Sequence, residues 1–591
     1  MIAFLKSFFT SIFLLICYLV PFAFLLWFVI NFGVNVPYSD QWSSVDLFQE
    51  IGSGRATFQT FFAQHNEHRI LFPRLISSAL AFASGWNILW ELYCNIVLST
   101  IAFLLVFKLS LDQAGQCDRD FHIANVATCF VIFSVIQWEN WLWGFQIAWF
   151  LVDLCLVIAV LALSSNLCST LRIKIVLAAT ACLVASFSLA HGLITWIAVI
   201  PSLVTCCTNA RQLKRVVFIW IILFLSACLL YLIDYHEPST QYHDHLWLFL
   251  KEPKMAETYF LTLLGNPLGY NLDFSDVLGL AVFVNFVFFV IRFVTKAGSK
   301  FSKNAAPWLS LGCFAILFDF MTTIGRIVLG VDQARASRYT TVAILLLVAL
   351  IQLWRLHFLE SNSVEQTNNI SRQDGASIYT FIISVFTLLV LGGSTNALAA
   401  AGSLRANLQY GQACLTVAAY VTQSPGNCLQ LLYLNSTLIG NWKNDLNQIG
   451  FRHFPDTSIQ FVPESTKEYG SVDTLSASQT PVIVRKNCIN CGSITISGWA
   501  ILPEQMKPAQ LVFLSRSGDP ETFFTNTYVN IRSPDIAKAL RNRRYRRARW
   551  ATTVSPNLWP LGKTVLTAWV YDPGGNQFVR LHGEPTLSVE E

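Results

Sequence analysis

The run "FFTSIFLLICYLVPFAFLLWFVI", residues 8–30, decides the fold class. It is long enough to cross roughly 30 Å of hydrocarbon as a helix. It is too long for the apolar region of a signal peptide, and no small-residue cleavage site follows it, so it reads as a retained anchor. Similar runs recur through the first two thirds of the chain. The 591 residues are 54% hydrophobic and only 13% charged, against about 25% charged in soluble domains, and the mean hydropathy is +0.50. These features predict a polytopic α-helical membrane protein. A transmembrane β-barrel would show alternating rather than continuous apolar segments. The net charge of +5 is dispersed, which argues against a nucleic-acid partner. No dinucleotide or P-loop fingerprint is present, so no soluble nucleotide sugar is implied.

Outward from the first run, eleven spans are predicted, near 8–32, 88–108, 122–138, 147–164, 173–190, 193–207, 215–233, 277–294, 307–325, 339–356 and 377–395. Short basic loops, "TNARQLKR" (208–215) and "RFVTKAGSKFSKN" (292–304), set the orientation. Lysine and arginine favour the cytoplasmic side, which puts the N-terminus inside and the tail outside. Three regions follow: a transmembrane domain over 1–395, an exported mixed or helical connection over 396–478, and an exported β-sandwich over 479–591. Short β-rich runs broken by Pro, Gly and Asp, such as "SITISGWAIL" and "KTVLTAWVYD", carry the last assignment. Of 15 cysteines, only Cys414, Cys428, Cys488 and Cys491 lie in the tail. An even number in an exported domain predicts disulfides, and the pairs expected are Cys414–Cys428 and Cys488–Cys491, a choice that the count itself does not fix. "CINC" (488–491) also reads as half of a metal site, with no second pair to complete it. The basic run "ALRNRRYRRARW" (539–550) reads as a solvated surface or as a contact for an anionic glycan or lipid.

The outside loops concentrate polar residues beside span ends. The first contains "PYSDQW" (37–42) and "AQHNEHRILFPRL" (63–75), the second "QWENWLWGFQ" (137–146), the fourth "DYHEPSTQYHDHLW" (234–247) and the fifth "GRIVLGVDQARASRY" (325–339). A carboxylate at the membrane face is suited to general-base work on a hydroxyl, which makes Asp40 and Glu67 candidates. His65 and His68 stand beside Glu67. The guanidinium forks of Arg69, Arg74, Arg326, Arg335 and Arg338 suit phosphate oxygens. Trp42 and Tyr339 are candidate sugar platforms, against the plainer role of interfacial belt residues. Each charge also has a plain role: snorkelling for an arginine, helix capping for Asp40. His236, His243, Asp244 and His245 are residue types that bind metals but match no recognised ligand spacing, so no cofactor is predicted and a divalent metal stays an open, unsupported alternative. Asp319, within the span that ends near "GR", is a costly intramembrane acid of the kind often kept for function. From Ile70 to Leu75 the stretch is expected to begin an interfacial helix.

At these residues the chain resembles the GT-C superfamily of membrane glycosyltransferases, which use polyprenyl-phosphate-linked sugars. The acid of "PYSDQW" in the long first outside loop, the "HNEHR" element, the late arginines of "GRIVLGVDQARASRY" and the layout of many spans with an exported tail carry the resemblance. Only one acid stands in "SDQW", where the superfamily often has two adjacent. The resemblance implies an inverting sugar transferase at the outer face of a bacterial inner membrane. Its partners would be a polyprenyl-phosphate sugar donor, membrane lipid, and a glycan, lipid or protein acceptor. Asp40 would be the base, with Glu67 and His68 orienting donor or base. Arg69, Arg74, Arg326 and Arg338 would hold the lipid phosphate, and His65, Trp42 and Tyr339 the sugar. Two other classes remain open: a flippase for a lipid-linked glycan, which would favour internal repeats, and a non-enzymatic glycan-binding scaffold.

Overall fold

The structure is a computed structural model, and it describes residues 2–590 except 115–116, 166–169, 238–244, 271, 365–368, 418–419, 421–427, 453–458, 477–481, 486–493, 517–518 and 555–560. The chain divides into two compact units. One comprises residues 1–35 and 54–404, the other 36–53 and 405–591.

The first unit is helical. Among the described residues, nine helices are long and apolar enough to cross a membrane: Ser11–Phe32, Ile88–Gln113, Arg119–Leu142, Gly144–Ser164, Ala210–Leu232, Ser275–Thr295, Lys300–Leu329, Ser337–Glu360 and Ile383–Thr416. The chain is therefore a multi-pass α-helical protein, with two fewer such helices than the eleven expected. The segment expected to span at 173–190 is the 16-residue helix Leu171–Ser186. The next, 193–207, is broken into short pieces, Ala190–Ile194, Thr195–Ala198 and Ile200–Thr205. Apolar composition did not reveal these breaks. Polar caps start several helices: Asp118 Oδ1 accepts from Phe121 N at 2.9 Å, Asn209 Oδ1 from Gln212 N at 2.9 Å, and Ser299 Oγ from Ser302 N at 3.1 Å. Each satisfies an amide left over at a helix start. Gly144–Ser164 and Ser337–Glu360 form the interior, with 83% and 78% of their apolar windows buried, against 22% for Ala210–Leu232. Buried polar side chains tie the interior together. Asn125 Nδ2 donates to Ser110 Oγ at 3.0 Å, and Ser110 Oγ donates to Gln352 Oε1 at 3.2 Å. Such cross-helix bonds favour one packing register.

The second unit joins a helical cap to two β-sheets. Ser44–Gly52 packs on Ser436–Gln448, with Gln49 Nε2 donating to Asp445 Oδ1 and Trp442 Nε1 to Asp46 Oδ1, both at 2.9 Å. In one sheet the order is Arg549–Val554, Ile494–Leu502, Gly470–Ser476, with Lys507–Pro508 pairing Ile494–Leu502. The other runs Gln460–Val462, Gln577–Arg580, Gly562–Asp572, Thr586–Glu590, Val482–Arg485, with Leu511–Arg516 branching from Gly562–Asp572 and Asp519–Tyr528 pairing with Leu511–Arg516. Ile494–Leu502 alternates buried and half-buried residues, the period of a strand with one face on a core. Its Ile496 and Ala500 share that core with Leu514, Leu566 and Val570 of the other sheet and with Trp550. The basic run is partly neutralised, since Arg549 pairs with Asp473 at 2.6 Å and Asp535 at 2.5 Å.

Cys414 and Cys428 form a disulfide with Cα atoms 6.2 Å apart, whereas Cys488 and Cys491 lie outside the described residues. The bridge closes a loop across a sequence separation of 14. Closing a loop of that size is worth about 3 kcal/mol through the unfolded state. Cys414→Ser is expected to lower the stability of this unit by about that amount, read as a shifted denaturant midpoint. An unchanged midpoint would mean that the bridge constrains nothing.

Candidate functional site in the helical unit

The stretch that stood out in sequence, 63–75, is a hairpin running into a helix. Gln64–His65 pairs antiparallel with His68–Arg69, and Asn66-Glu67 is the two-residue turn. Asn66 has φ +49, and Asn is among the residues that accept this left-handed backbone in tight hairpin turns. The helix Leu71–Ser84 follows directly.

The hairpin is pinned from several sides. Gln64 brackets the backbone of His236, donating to its carbonyl at 2.6 Å and accepting from its amide at 3.0 Å. Tyr231 Oη donates to the Glu67 carbonyl at 2.7 Å, and Ala190 N to His68 Nδ1 at 3.3 Å. Arg69 is buried. Its Nε donates to Tyr231 O at 3.2 Å, its Nη1 to Phe62 O at 2.9 Å, and its Nη2 to Ile233 O. Arg74 Nη1 donates to the carbonyls of Phe61, at 3.0 Å, and Ala63. Both guanidinium groups, expected on a lipid phosphate, donate to carbonyls at a helix end and in a loop, Arg69 through all three of its nitrogens and Arg74 through Nη1. Arg69→Ala would leave three acceptors unpaired and is expected to cost about 3 kcal/mol or more. Arg69→Lys should not restore it, because an ammonium lacks the planar fork. Thermal unfolding in detergent checks both, and a wild-type midpoint for Arg69→Ala would deny the pinning role.

At the tip of the hairpin, Glu67 Oε1 lies 2.5 Å from Arg326 Nη2 and 3.6 Å from His68 Nε2. Arg326 is there because it closes the helix Lys300–Arg326, whose C-terminus favours a cation. Burial pushes the Glu67 carboxyl up, but His68 and Arg326 outweigh it and hold it below the usual range. Burial, reinforced by His65 and Arg326 against the pull of Glu67, brings His68 down to about 4. His68 is therefore neutral near pH 7. Since Nδ1 accepts from Ala190, the ring proton sits on Nε2, on the Glu67 side. The result is an ionised carboxylate between a guanidinium and a neutral imidazole.

A second acid–arginine pair was not singled out in sequence. Glu139 Oε2 accepts the Arg338 backbone amide at 2.8 Å, and Arg338 Nη1 lies 3.9 Å from Glu139 Oε1. Glu139 thereby caps the first turn of Ser337–Val364. In "QWENWLWGFQ" the aromatic residues masked it, although an acid enclosed by Gln, Asn and Trp was a usable signal. Arg338 lies over the Tyr339 ring at 5.3 Å. Tyr339 packs near Trp149 and Phe318, whose centroids are 6.2 and 6.4 Å away. Phe318 also meets His191 at 4.6 Å. His191 sits on a tight corner that requires Gly192, where a Cβ would come within 1.8 Å of the Ala185 carbonyl. Tyr259 is buried, and its hydroxyl has no hydrogen-bond partner among the described residues. Glu67, His68, Arg326, Arg338 and Tyr339 thus all belong to the helical unit. His65 is nearby, its ring 5.2 Å from Phe145. Arg335 pairs instead with Asp273 at 3.5 Å and Asp332 at 3.3 Å.

Asp40 and Trp42 belong to the second unit. Asp40 lies in the 3-10 turn Ser39–Ser43. Trp42, expected to offer a face to sugar, is fully buried, donates from Nε1 to Pro37 O at 3.0 Å and stacks on Trp442 with centroids 6.1 Å apart. Of the loop around 236–245, His243 and Asp244 lie outside the described residues.

No known protein-family profile matches the chain, and no curated protein matches it in sequence. Among solved structures, it is similar to ArnT from Cupriavidus metallidurans bound to undecaprenyl phosphate, with TM-score 0.38 and 11% identity over 70% of this chain and 81% of that one. It is similar also to ArnT of the same organism in the apo state, with TM-score 0.40 and 12% identity over 71% and 82%. At these values the likeness assigns neither family nor activity.

Proposed function

We propose that the helical unit is a glycosyltransferase that moves a sugar from a polyprenyl-phosphate donor, undecaprenyl phosphate being the carrier to test first, to a hydroxyl acceptor. The observation that carries this reading is the Glu67–Arg326 contact of 2.5 Å, with neutral His68 beside it. It sets a carboxylate suited to take a proton next to a guanidinium suited to a phosphate. Glu67 Oε1 is the atom bound to Arg326, which leaves Oε2 for the acceptor hydroxyl. As the acceptor oxygen attacks the anomeric carbon, its proton passes to Glu67, the bond from that carbon to the phosphate oxygen breaks, and configuration inverts. Charge grows on the departing phosphate, where Arg326 and Arg338 stabilise it.

In this reading the base is Glu67 rather than Asp40, and Arg69 and Arg74 position the hairpin rather than hold lipid. His65 and Tyr339 remain candidates for sugar contact. The Cys414–Cys428 bridge and the basic loops at 208–215 and 292–304 support an N-terminus in the cytoplasm and a tail outside it, at a bacterial inner membrane.

The test is lipid binding by the purified full chain in nanodiscs. Wild type is expected to retain undecaprenyl phosphate, and the double variant Arg326→Ala/Arg338→Ala to bind it at least about tenfold more weakly. Equal binding by both would remove the arginines from phosphate recognition.

A further inference from the structure

The hairpin that joins Gly562–Asp572 to Gln577–Arg580 turns through Pro573, two glycines and Asn576. Asp572 is buried and fastens this turn. Its Oδ1 accepts from Gly574 N at 3.0 Å and from Gln505 Nε2 at 3.2 Å, and its Oδ2 from Tyr469 Oη at 2.7 Å. Asn576 has φ +46, the left-handed backbone that Asn accepts in turns. Its Oδ1 accepts from Tyr571 Oη at 3.0 Å. Tyr571 and Asn576 therefore hold each other in place on a fastened turn, and a ligand that uses them need not order them first.

Both line a cavity of about 310 Å³ whose lining residues all belong to the second unit. Leu502 and Leu511 give it an apolar wall, with Ala413 and Val417 from the segment of the bridged Cys414. Lys507 and Gln510 stand at its exposed edge. Ligand sites run from about 300 to 1,000 Å³ and combine apolar walls with a few placed polar groups. This one is at the small end, with space for one sugar residue rather than a lipid chain. Among the described residues, the Lys507 ammonium, the Gln510 amide and Asn576 Nδ2 have no hydrogen-bond partner. No acid lines the cavity. A hydrocarbon would leave these donors unmatched, and a cation would meet no opposite charge. A pyranose matches both features, with C–H bonds on its face for the ring and the apolar wall, and oxygens on its edge for the donors.

We propose that this cavity binds one sugar residue of a glycan, with its face against Tyr571 and its hydroxyls bonded by Asn576, Gln510 and Lys507. Binding here does not need the transferase reading. The role of the ligand rests on that reading, under which the glycan is the acceptor.

The test titrates the purified full chain in nanodiscs with the methyl pyranosides of glucose, galactose, mannose, N-acetylglucosamine and glucuronic acid, followed by calorimetry. Wild type should bind at least one of them with a Kd on the order of 1 mM, as suits so small a ligand. The double variant Gln510→Ala/Lys507→Ala should weaken that glycoside by about tenfold or more. Both positions are exposed, so its melting temperature should equal that of wild type. Tyr571→Ala should weaken it as much, and Tyr571→Phe less, because the ring stays. If no glycoside binds wild type, or if binding is undiminished in either the double variant or Tyr571→Ala, the proposal falls. Retention of undecaprenyl phosphate is measured on the same samples and should be equal in all of them. Lipid retained with no glycoside bound removes this site and leaves the transferase reading, and glycoside bound with no lipid retained does the reverse.

Discussion

Glu67→Gln is expected to lower the rate of sugar transfer by roughly 10²–10⁴-fold, the range over which a positioned base contributes. At 1.36 kcal/mol per decade this is about 3–5 kcal/mol of lost transition-state stabilisation. Glutamine keeps the shape of the side chain and can still accept a hydrogen bond from Arg326, so the hairpin and its pins should stay in place. The loss should therefore appear in kcat with little change in the affinity for lipid. The pH profile gives an independent reading. With Glu67 held below the usual carboxylate range by His68 and Arg326 against the effect of burial, wild-type activity should persist on acidification and fall only as pH drops through that depressed value. His68, brought down to about 4, adds a stability loss in the same direction. Its unfolded form takes up a proton near pH 6.5 and its folded form does not, so stability declines as pH falls from about 6.5 towards 4. Enzyme stability must therefore be followed alongside rate. A Glu67→Gln variant with wild-type kcat would exclude the carboxylate as base.

Arg326→Ala is expected to cost about 2.7–4 kcal/mol in transfer, or roughly 10²–10³-fold, as for removal of one preorganised group that stabilises charge on the leaving group. Arg326→Lys should recover part of this, because an ammonium supplies the charge without the bidentate fork. The effects of Arg326→Ala and Glu67→Gln should not add, since the two residues are in direct contact. A double variant no slower than the worse single one would show that they act as a unit. Additive losses would indicate that the arginine and the carboxylate serve separate steps.

Much of the architecture was legible because it depends on long-range averages of composition. Apolar runs located the long helices, and the strand-like spacing of "SITISGWAIL" located a strand whose alternation is seen at Ile494–Leu502. An even count of tail cysteines pointed to disulfides, and of the two pairs expected Cys414–Cys428 is present. Features set by single backbone events were not legible. Hydropathy at 173–207 does not distinguish two spans from a 16-residue helix followed by short helical pieces. Nor does it show that the loop after the first long helix divides, with 36–53 joining the tail through Trp42–Trp442 and Asp46–Trp442 while 54–87 stays with the helices.

The site was legible in part. Residue chemistry singled out Glu67, His68 and Arg326, which the structure brings together, and Arg338 of the same unit. It could not show that Arg69 and Arg74 donate to backbone carbonyls, because a guanidinium bound to carbonyls looks the same in sequence as one waiting for phosphate. It missed Glu139, whose partner is a backbone amide 199 residues away.

The most direct test of the central claim is transfer itself. Full-length protein reconstituted with lipid-linked sugars and a delipidated envelope extract as acceptor is followed by the release of free undecaprenyl phosphate. The account predicts release by wild type with at least one sugar donor, and none above background by Glu67→Gln or Arg326→Ala. Release that is undiminished in both variants, or its absence from wild type with every donor supplied, would contradict it.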